Sequence, residues 1–140
     1  MNISKNTKLI LIKAAQVSAG TAITSDTIDT QGYSGVAIFG SIATVNAGNY
    51  VKARQGALSN MGDAADLLGT KLVPGTNGNS FLLDIYKPLE RYVDVQIVRA
   101  GTNTATGDVY ALLYEARKAP TSQGATIEAE LHVSPAEGTA

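Results

Sequence analysis

The chain has 140 residues, with 11 basic and 12 acidic side chains, one histidine, no cysteine and no tryptophan. That length suits one domain that buries about two-thirds of its unfolded surface. Without cysteine there is no disulfide framework, iron–sulfur or zinc-thiolate centre, or thiol nucleophile, and a net charge of −1 lacks the basic footprint of a nucleic-acid binder.

In chain order, the first predicted strand runs from Lys8 to Ala14, with Leu9 and Leu11 on one face and Ile10 and Ile12 on the other. Two apolar faces suit a strand held between two layers. A weak segment follows around Thr27 to Thr30, then one from Val36 to Val45 with Gly40 as a bulge. From Tyr50 to Gln55, Tyr50, Lys52 and Arg54 alternate against Val51 and Ala53. The one helical turn is expected at Ala64, Ala65, Leu67 and Leu68, capped by Asn60 or Asp63 and ended by Gly69. Thr70 to Val73 reads as another short strand, and Asn77-Gly78 as a hairpin turn.

The three clearest strands come next. Phe81, Leu83 and Ile85 share a face of Ser80 to Tyr86; Val93, Val95 and Ile97 share a face of Arg91 to Arg99; Val109, Ala111 and Leu113 oppose Tyr110, Leu112 and Tyr114 in Asp108 to Ala116. Residues 100–107 read as a polar loop. About eight strands with regular turn signals and no amphipathic helix predict an all-β fold, an eight-stranded antiparallel sandwich of the jelly-roll type. Residues 1–120 form that single domain, and residues 121–140 form a C-terminal arm or tail in which Ile127 to Val133 reads as one more strand or an arm. The apolar run Leu9-Ile10-Leu11-Ile12 is stopped by Lys13, short of the roughly 7–15 residues of a signal-peptide core and the roughly 20 of a membrane span. A soluble protein without membrane contact is expected.

Charged residues are 16% of the chain, against about 25% in ordinary soluble domains. Part of the folded surface is therefore expected to face a partner rather than water.

Chemistry-bearing groups are sparse. His132, next to Glu130 and Glu128, has the residue types of a general base or metal ligand, but fits an exposed histidine on a tail strand better. Gly32-Tyr33-Ser34-Gly35 is one residue short of a nucleophile elbow and no helix follows it, so it reads as a turn. Asp26/Asp29 and Asp63/Asp66 lack the Asp-x-Asp-x-Asp-Gly pattern of a calcium loop. The glycine-rich stretches 75–79 and 101–107 open no helix and carry no phosphate-binding signature. Glu90 and Asp94 would need a cleft to act as glycosidase carboxylates. No enzyme activity, cofactor or metal is expected. Tyr86, Glu90, Arg91, Tyr92 and Arg99 are the candidate partner-interface residues, because Arg and Tyr are favoured at interfaces. Pairing within the chain at strand ends explains the same charges equally well.

The order of several segments carries a resemblance. Leu9-Ile10-Leu11-Ile12-Lys13-Ala14-Ala15 is followed by Asp29-Thr30-Gln31-Gly32-Tyr33-Ser34-Gly35-Val36-Ala37, then by Lys87-Pro88-Leu89-Glu90-Arg91-Tyr92-Val93. Tyr110-Ala111-Leu112-Leu113-Tyr114-Glu115-Ala116-Arg117-Lys118-Ala119-Pro120 completes the set, which spans most of residues 9–120. In that order they resemble the capsid cement (decoration) proteins of tailed bacteriophages, of the kind carried by a Bordetella podophage. The resemblance implies a jelly-roll structural protein, made in the host cytoplasm and placed on the outer surface of the virion capsid. There it would bind the lattice of the phage major capsid protein and stabilise the head. Residues 127–133 or 1–8 could add to an edge of the capsid protein's sheet, with Glu90, Arg91 and Arg99 forming charged contacts. Sheet edges and low charge favour self-association, a dimer before a trimer. The alternative is a carbohydrate- or receptor-binding jelly-roll module of a phage tail, which would need exposed aromatics; six tyrosines but no tryptophan are present.

Overall fold

A computed structural model describes residues 1–75, 79–134 and 136–139. Where apolar and polar residues alternate, the chain forms long antiparallel ladders. One sheet contains β1 (Lys8–Lys13), β11 (Val109–Tyr114), β5 (Gly35–Ser41) and β8 (Ser80–Tyr86), in the order β1-β11-β5-β8. The second contains β3 (Ile23–Thr24), β9 (Tyr92–Arg99), β6 (Asn49–Gly56) and β7 (Ala65–Asp66), in the order β3-β9-β6-β7. In that second sheet β4 (Ile28–Asp29) also pairs with β9, further along the same edge as β3. A ribbon of β2 (Gln16–Ala19) and β10 (Thr104–Thr106) completes the strands, and the only helix among the described residues is the turn α1 (Ile3–Asn6).

The inward rows meet in one core. Ile12, Val36, Ile38, Phe81, Val109, Ala111 and Leu113 of the first sheet and its flanks pack in one cluster with Ile23, Ile28, Val51, Ala53, Val93, Val95 and Ile97 of the second. Because strand side chains alternate sides, each ladder spends every second residue on this core. Between β3 and β4 the Ser25 hydroxyl accepts the Val95 N–H at 3.1 Å, and the Ser25 N–H donates to the Val95 carbonyl at 2.9 Å. The interrupted pair thus behaves as one edge along β9.

The all-β expectation holds, with eleven strands among the described residues in place of about eight. Several local expectations are corrected. The helical turn at Ala64 to Leu68 is instead β7: Ala65 and Asp66 pair with Gln55 and Arg54, and the Leu67 N–H donates to the Ala53 carbonyl at 2.9 Å. Asp63 caps no helix; its carboxylate accepts the N–H groups of Ala57 and Leu58. A single helical turn is poorly nucleated, and the open edge of β6 offers backbone partners at once. Gly40 makes no bulge, since β5 and β8 keep register from Gly35↔Tyr86 to Ser41↔Ser80. Packing is tight there instead: a Cβ would stand 3.0 Å from the Phe81 ring and 3.1 Å from Val109 Cγ2, so those side chains would have to give by a few tenths of an ångström. The expected strand at Thr70 to Val73 reduces to one bridge, Val51↔Leu72. Residues 104–106, expected within a loop, form β10, where Thr104 and Thr106 are buried. Residues 127–133 form no strand. The Asn77-Gly78 turn lies outside the described residues.

Arg99 sits at the end of β9 and is 4% exposed. Its guanidinium donates to the carbonyls of Thr21 (2.7 Å), Val17 (2.8 Å) and Thr104 (2.8 Å), and to the Thr21 hydroxyl (3.2 Å). One side chain thus ties β9 to β10 and to the β2–β3 connection. Asn49 works similarly nearby, accepting from Gly101 N–H and Thr102 N–H and donating to the Thr44 carbonyl. Replacing Arg99 by Met keeps the apolar stem but leaves those carbonyls without a donor. The unfolding free energy should fall by about 3 kcal/mol, read as a lower urea midpoint at unchanged slope.

Candidate interaction surface

The two sheets present opposite kinds of outer face. On the second sheet the outward row is polar and internally paired. Lys52 meets Asp66 at 2.7 Å, and Arg54 grips Asp94 with two bonds of 2.9 and 2.6 Å. Beside them Tyr92 stacks under the Arg91 guanidinium at 5.1 Å, and Tyr50 under the Lys71 ammonium at 4.4 Å.

On the first sheet the outward rows are apolar. Register places Leu11, Tyr110, Phe39 and Leu82 in one cross-strand row, and Leu9, Leu112, Ala37 and Asp84 in the next. A third row runs from Tyr114 across Gly35 to Tyr86. Phe39 and Tyr110 stack at 5.9 Å, and Tyr86 and Tyr114 at 6.4 Å with ring planes 4° apart. Gly35 permits the second stack, because a Cβ there would overlap the Tyr114 ring. The one carboxylate of these rows, Asp84, accepts the Tyr114 hydroxyl at 2.6 Å. Burial, followed by that bond to Asp84, pushes the Tyr114 phenol well above the ordinary tyrosine range. Leu82 is 63% exposed. An aromatic and aliphatic face with its only charge turned aside is suited to docking.

The expected contact residues divide. Tyr86, Glu90, Arg91 and Tyr92 gather at the β8–β9 connection, where Leu89 stands 89% exposed. Open grooves of about 400 and 300 Å³ flank that connection, the first beside Tyr33 and Arg117, the second beside Leu67 and Leu68. Arg99 does not join them. It lies at the far end of β9, about 23 Å away at strand rise, buried and bonded to backbone. Arg91 is half exposed and already holds Asp29 through bonds of 2.9 and 2.7 Å.

The rows that sequence reasoning missed are Phe39, Leu82, Leu112 and Tyr110. Their signal was present as apolar residues on both faces of the same strands. In the first segment two apolar faces predict cover by a second layer; β1 is an edge strand whose Leu9 and Leu11 face outward, and Leu9 borders a groove shared with residues 1–4 and 127–132.

The groups weighed for chemistry have other partners. His132 Nε2 lies 2.9 Å from Glu130 Oε2, both side chains exposed. Thr30 to Tyr33 form a turn, with Gly32 at φ +88°, that leads into β5. Asp94 is committed to Arg54, and Asp66 to Lys52. Among the described residues no group of three or more His, Cys, Asp or Glu side chains is gathered, and no helix is long and apolar enough to cross a membrane. No family model matches the chain, and no curated protein matches it.

The Asp29–Arg91 pair gives a pH signature. The Arg91 guanidinium foremost, with the Gln31 N–H, holds the Asp29 carboxyl below the usual carboxylate value. A depressed folded-state pKa stabilises above the unfolded value, and that contribution disappears as pH falls through the folded one. With both groups half exposed the contribution is small. Arg91→Gln should raise the Asp29 titration midpoint toward the ordinary carboxylate value, followed by carboxyl-carbon NMR. An unmoved midpoint would show that the pair does not hold in solution.

Proposed function

We propose that this protein is a jelly-roll cement component of a phage head, bound to the outside of the major capsid protein lattice and stabilising it. The observation that carries the reading is the apolar outward face of the β1-β11-β5-β8 sheet, set against a polar, internally paired face on the other sheet. A chain made this way is finished toward water on one side only.

The pairing pattern supports the jelly-roll reading. Counting β3 and β4 as one position and setting the β2–β10 ribbon aside leaves eight positions. The first pairs with the last (β1 with β11), the second with the seventh (β4 with β9), the third with the sixth (β5 with β8) and the fourth with the fifth (β6 with β7). Nested pairs that alternate between two sheets are what a long antiparallel hairpin yields when it rolls up on itself.

Capsid reinforcement asks for contact area repeated over a lattice, not for a catalytic constellation. Burying the outward rows of Phe39, Tyr110, Leu82 and Leu112 supplies the driving force. Charges at the rim, Glu90 and Lys87 among them, set register more than affinity. Many copies on a fixed lattice make each modest contact sufficient. Gradient-purified particles lacking this chain should take it up at a fixed, small-integer ratio to the major capsid protein, counted by quantitative mass spectrometry. Phe39→Lys puts a charge in the middle of the outward face while leaving the core side of β5 untouched, and should lower occupancy by about tenfold or more. Full occupancy by the Phe39→Lys chain would rule this face out, and a few copies per particle would point to a tail component.

A further inference from the structure

The four-stranded sheet has two edges, and the chain treats them differently. Along β1, residues 121–124 lie as a strap. The Leu9 N–H donates to Gln123 Oε1 at 2.8 Å, and the Gly124 N–H donates to the Leu9 carbonyl at 3.0 Å. The Thr121 N–H and hydroxyl bond the carbonyls of Lys5 and Thr7, and the Gln123 amide those of Ser4 and Thr7. Along β8 there is nothing comparable among the described residues.

The ladder's parity tells which groups are left open. Ile42 N–H donates to the Asn79 carbonyl at 2.8 Å and Lys87 N–H to the Ser34 carbonyl at 2.7 Å, on either side of β8. In this register the residues bonded to β5 are therefore Phe81, Leu83 and Ile85. Leu82, Asp84 and Tyr86 turn their N–H and C=O groups away from the sheet, spaced about 6.8 Å apart. No described residue hydrogen-bonds those groups. The strand is seven residues long, unbroken in register, and contains no proline, lysine or bulge, the devices that usually guard an edge. The other edges without such cover are shorter: β3, β4 and β7 have two residues each, and β2 has four, with the Val17 carbonyl already held by Arg99.

A seat for side chains lies beside this open backbone. The groove of about 300 Å³ runs between Ile85 and the stretch Leu67 to Thr70 of the opposite sheet, with Leu68 and Leu89 exposed at its rim. On its other side an added strand would continue the outward rows that end at Leu82 and Tyr86. A row of backbone donors and acceptors, apolar surface on both sides and a charge tied off at Asp84 together specify an extended, apolar-rich peptide. Building on the capsid reading above, we propose that the β8 edge accepts an extended segment of the major capsid protein as a fifth strand of the sheet.

The test uses the full chain and capsid particles lacking it. Leu82→Pro removes one open N–H without touching a bond to β5, a position where an edge proline is tolerated; Leu82→Val keeps the N–H and the apolar bulk. Occupancy of Leu82→Pro should fall about tenfold or more while Leu82→Val stays within about twofold of the wild type. Hydrogen exchange on the wild-type chain gives a second reading that needs no variant. The amides of Leu82, Asp84 and Tyr86 should exchange fast in the free protein and become protected on particles, whereas Phe81, Leu83 and Ile85 are protected in both. Full occupancy by Leu82→Pro, or amides at 82, 84 and 86 that exchange equally fast on the particle, overturns the edge and leaves the capsid reading standing. Wild-type chain that fails to bind particles at all sinks the capsid reading and this occupant together. Protection of the same amides in the free protein that vanishes on dilution would assign the edge to a second copy and overturn the proposal.

Discussion

The β1-β11-β5-β8 sheet places apolar side chains on both of its faces, and the rest of the molecule is arranged around that double demand. Inward, Ile12, Val36, Ile38, Ala111 and Leu113 close against the second sheet and are lost to solvent. Outward, the same strands offer Leu11, Phe39, Leu112 and Leu82; residues 1–4 and 127–132 of the chain border Leu112, while Leu82 stands exposed. Tyrosine softens the exposure: Tyr110 and Tyr114 present large apolar rings while their hydroxyls reach Asp108 and Asp84. Gly35 completes the arrangement by letting the Tyr114 ring cross β5 to reach Tyr86. The other sheet answers with charge, and its cations Lys52 and Arg54 each have a carboxylate. That contrast gives the molecule an apolar side and a polar, internally paired side.

The long strands were legible because their core positions recur every second residue, as Val93, Val95 and Ile97 do in β9. The short ones were not. Ala65 and Asp66 of β7, or Thr104 to Thr106 of β10, have no apolar period; they are strands because β6 and β2 lie beside them. Propensity is a weak guide where tertiary pairing decides. The edge of β9 was obscured in another way, since Ser25 fills the gap between β3 and β4 with a side-chain oxygen that no period-two pattern encodes.

Among the candidate contact residues, type was informative and environment was not. Tyr86, Glu90, Arg91 and Tyr92 cluster at one end of the sandwich, as neighbours in sequence tend to. Arg99 reads in the sequence like Arg91, an arginine at the end of an alternating strand. Apart from the Thr104 carbonyl five residues on, its acceptors lie 78 and 82 residues away at Thr21 and Val17, and nothing near Arg99 in the sequence announces those two. The outward apolar rows were visible as two-faced strands. Period-two alternation records that a face needs cover; it does not record whether the cover comes from the same chain.

The edges complete the same logic. A sheet that is apolar on both faces is the most hazardous kind to leave open at its sides, because an added strand finds both hydrogen bonds and contact area. Residues 121–124 close the β1 side at the cost of ordering a segment that contributes little core, and Gly124 is needed there because a Cβ would crowd the Leu9 carbonyl at 2.8 Å. The β8 side carries the same hazard and receives no such cover from the described residues. Pro88 and the positive φ of Lys87 end the strand abruptly, so the open row is short, sharply bounded and set beside the apolar groove. On an edge left open over a defined length, next to the apolar outward face and opposite a guarded edge, register is strictly set, because a strand slipped by one residue along it would turn its apolar side chains to the wrong face.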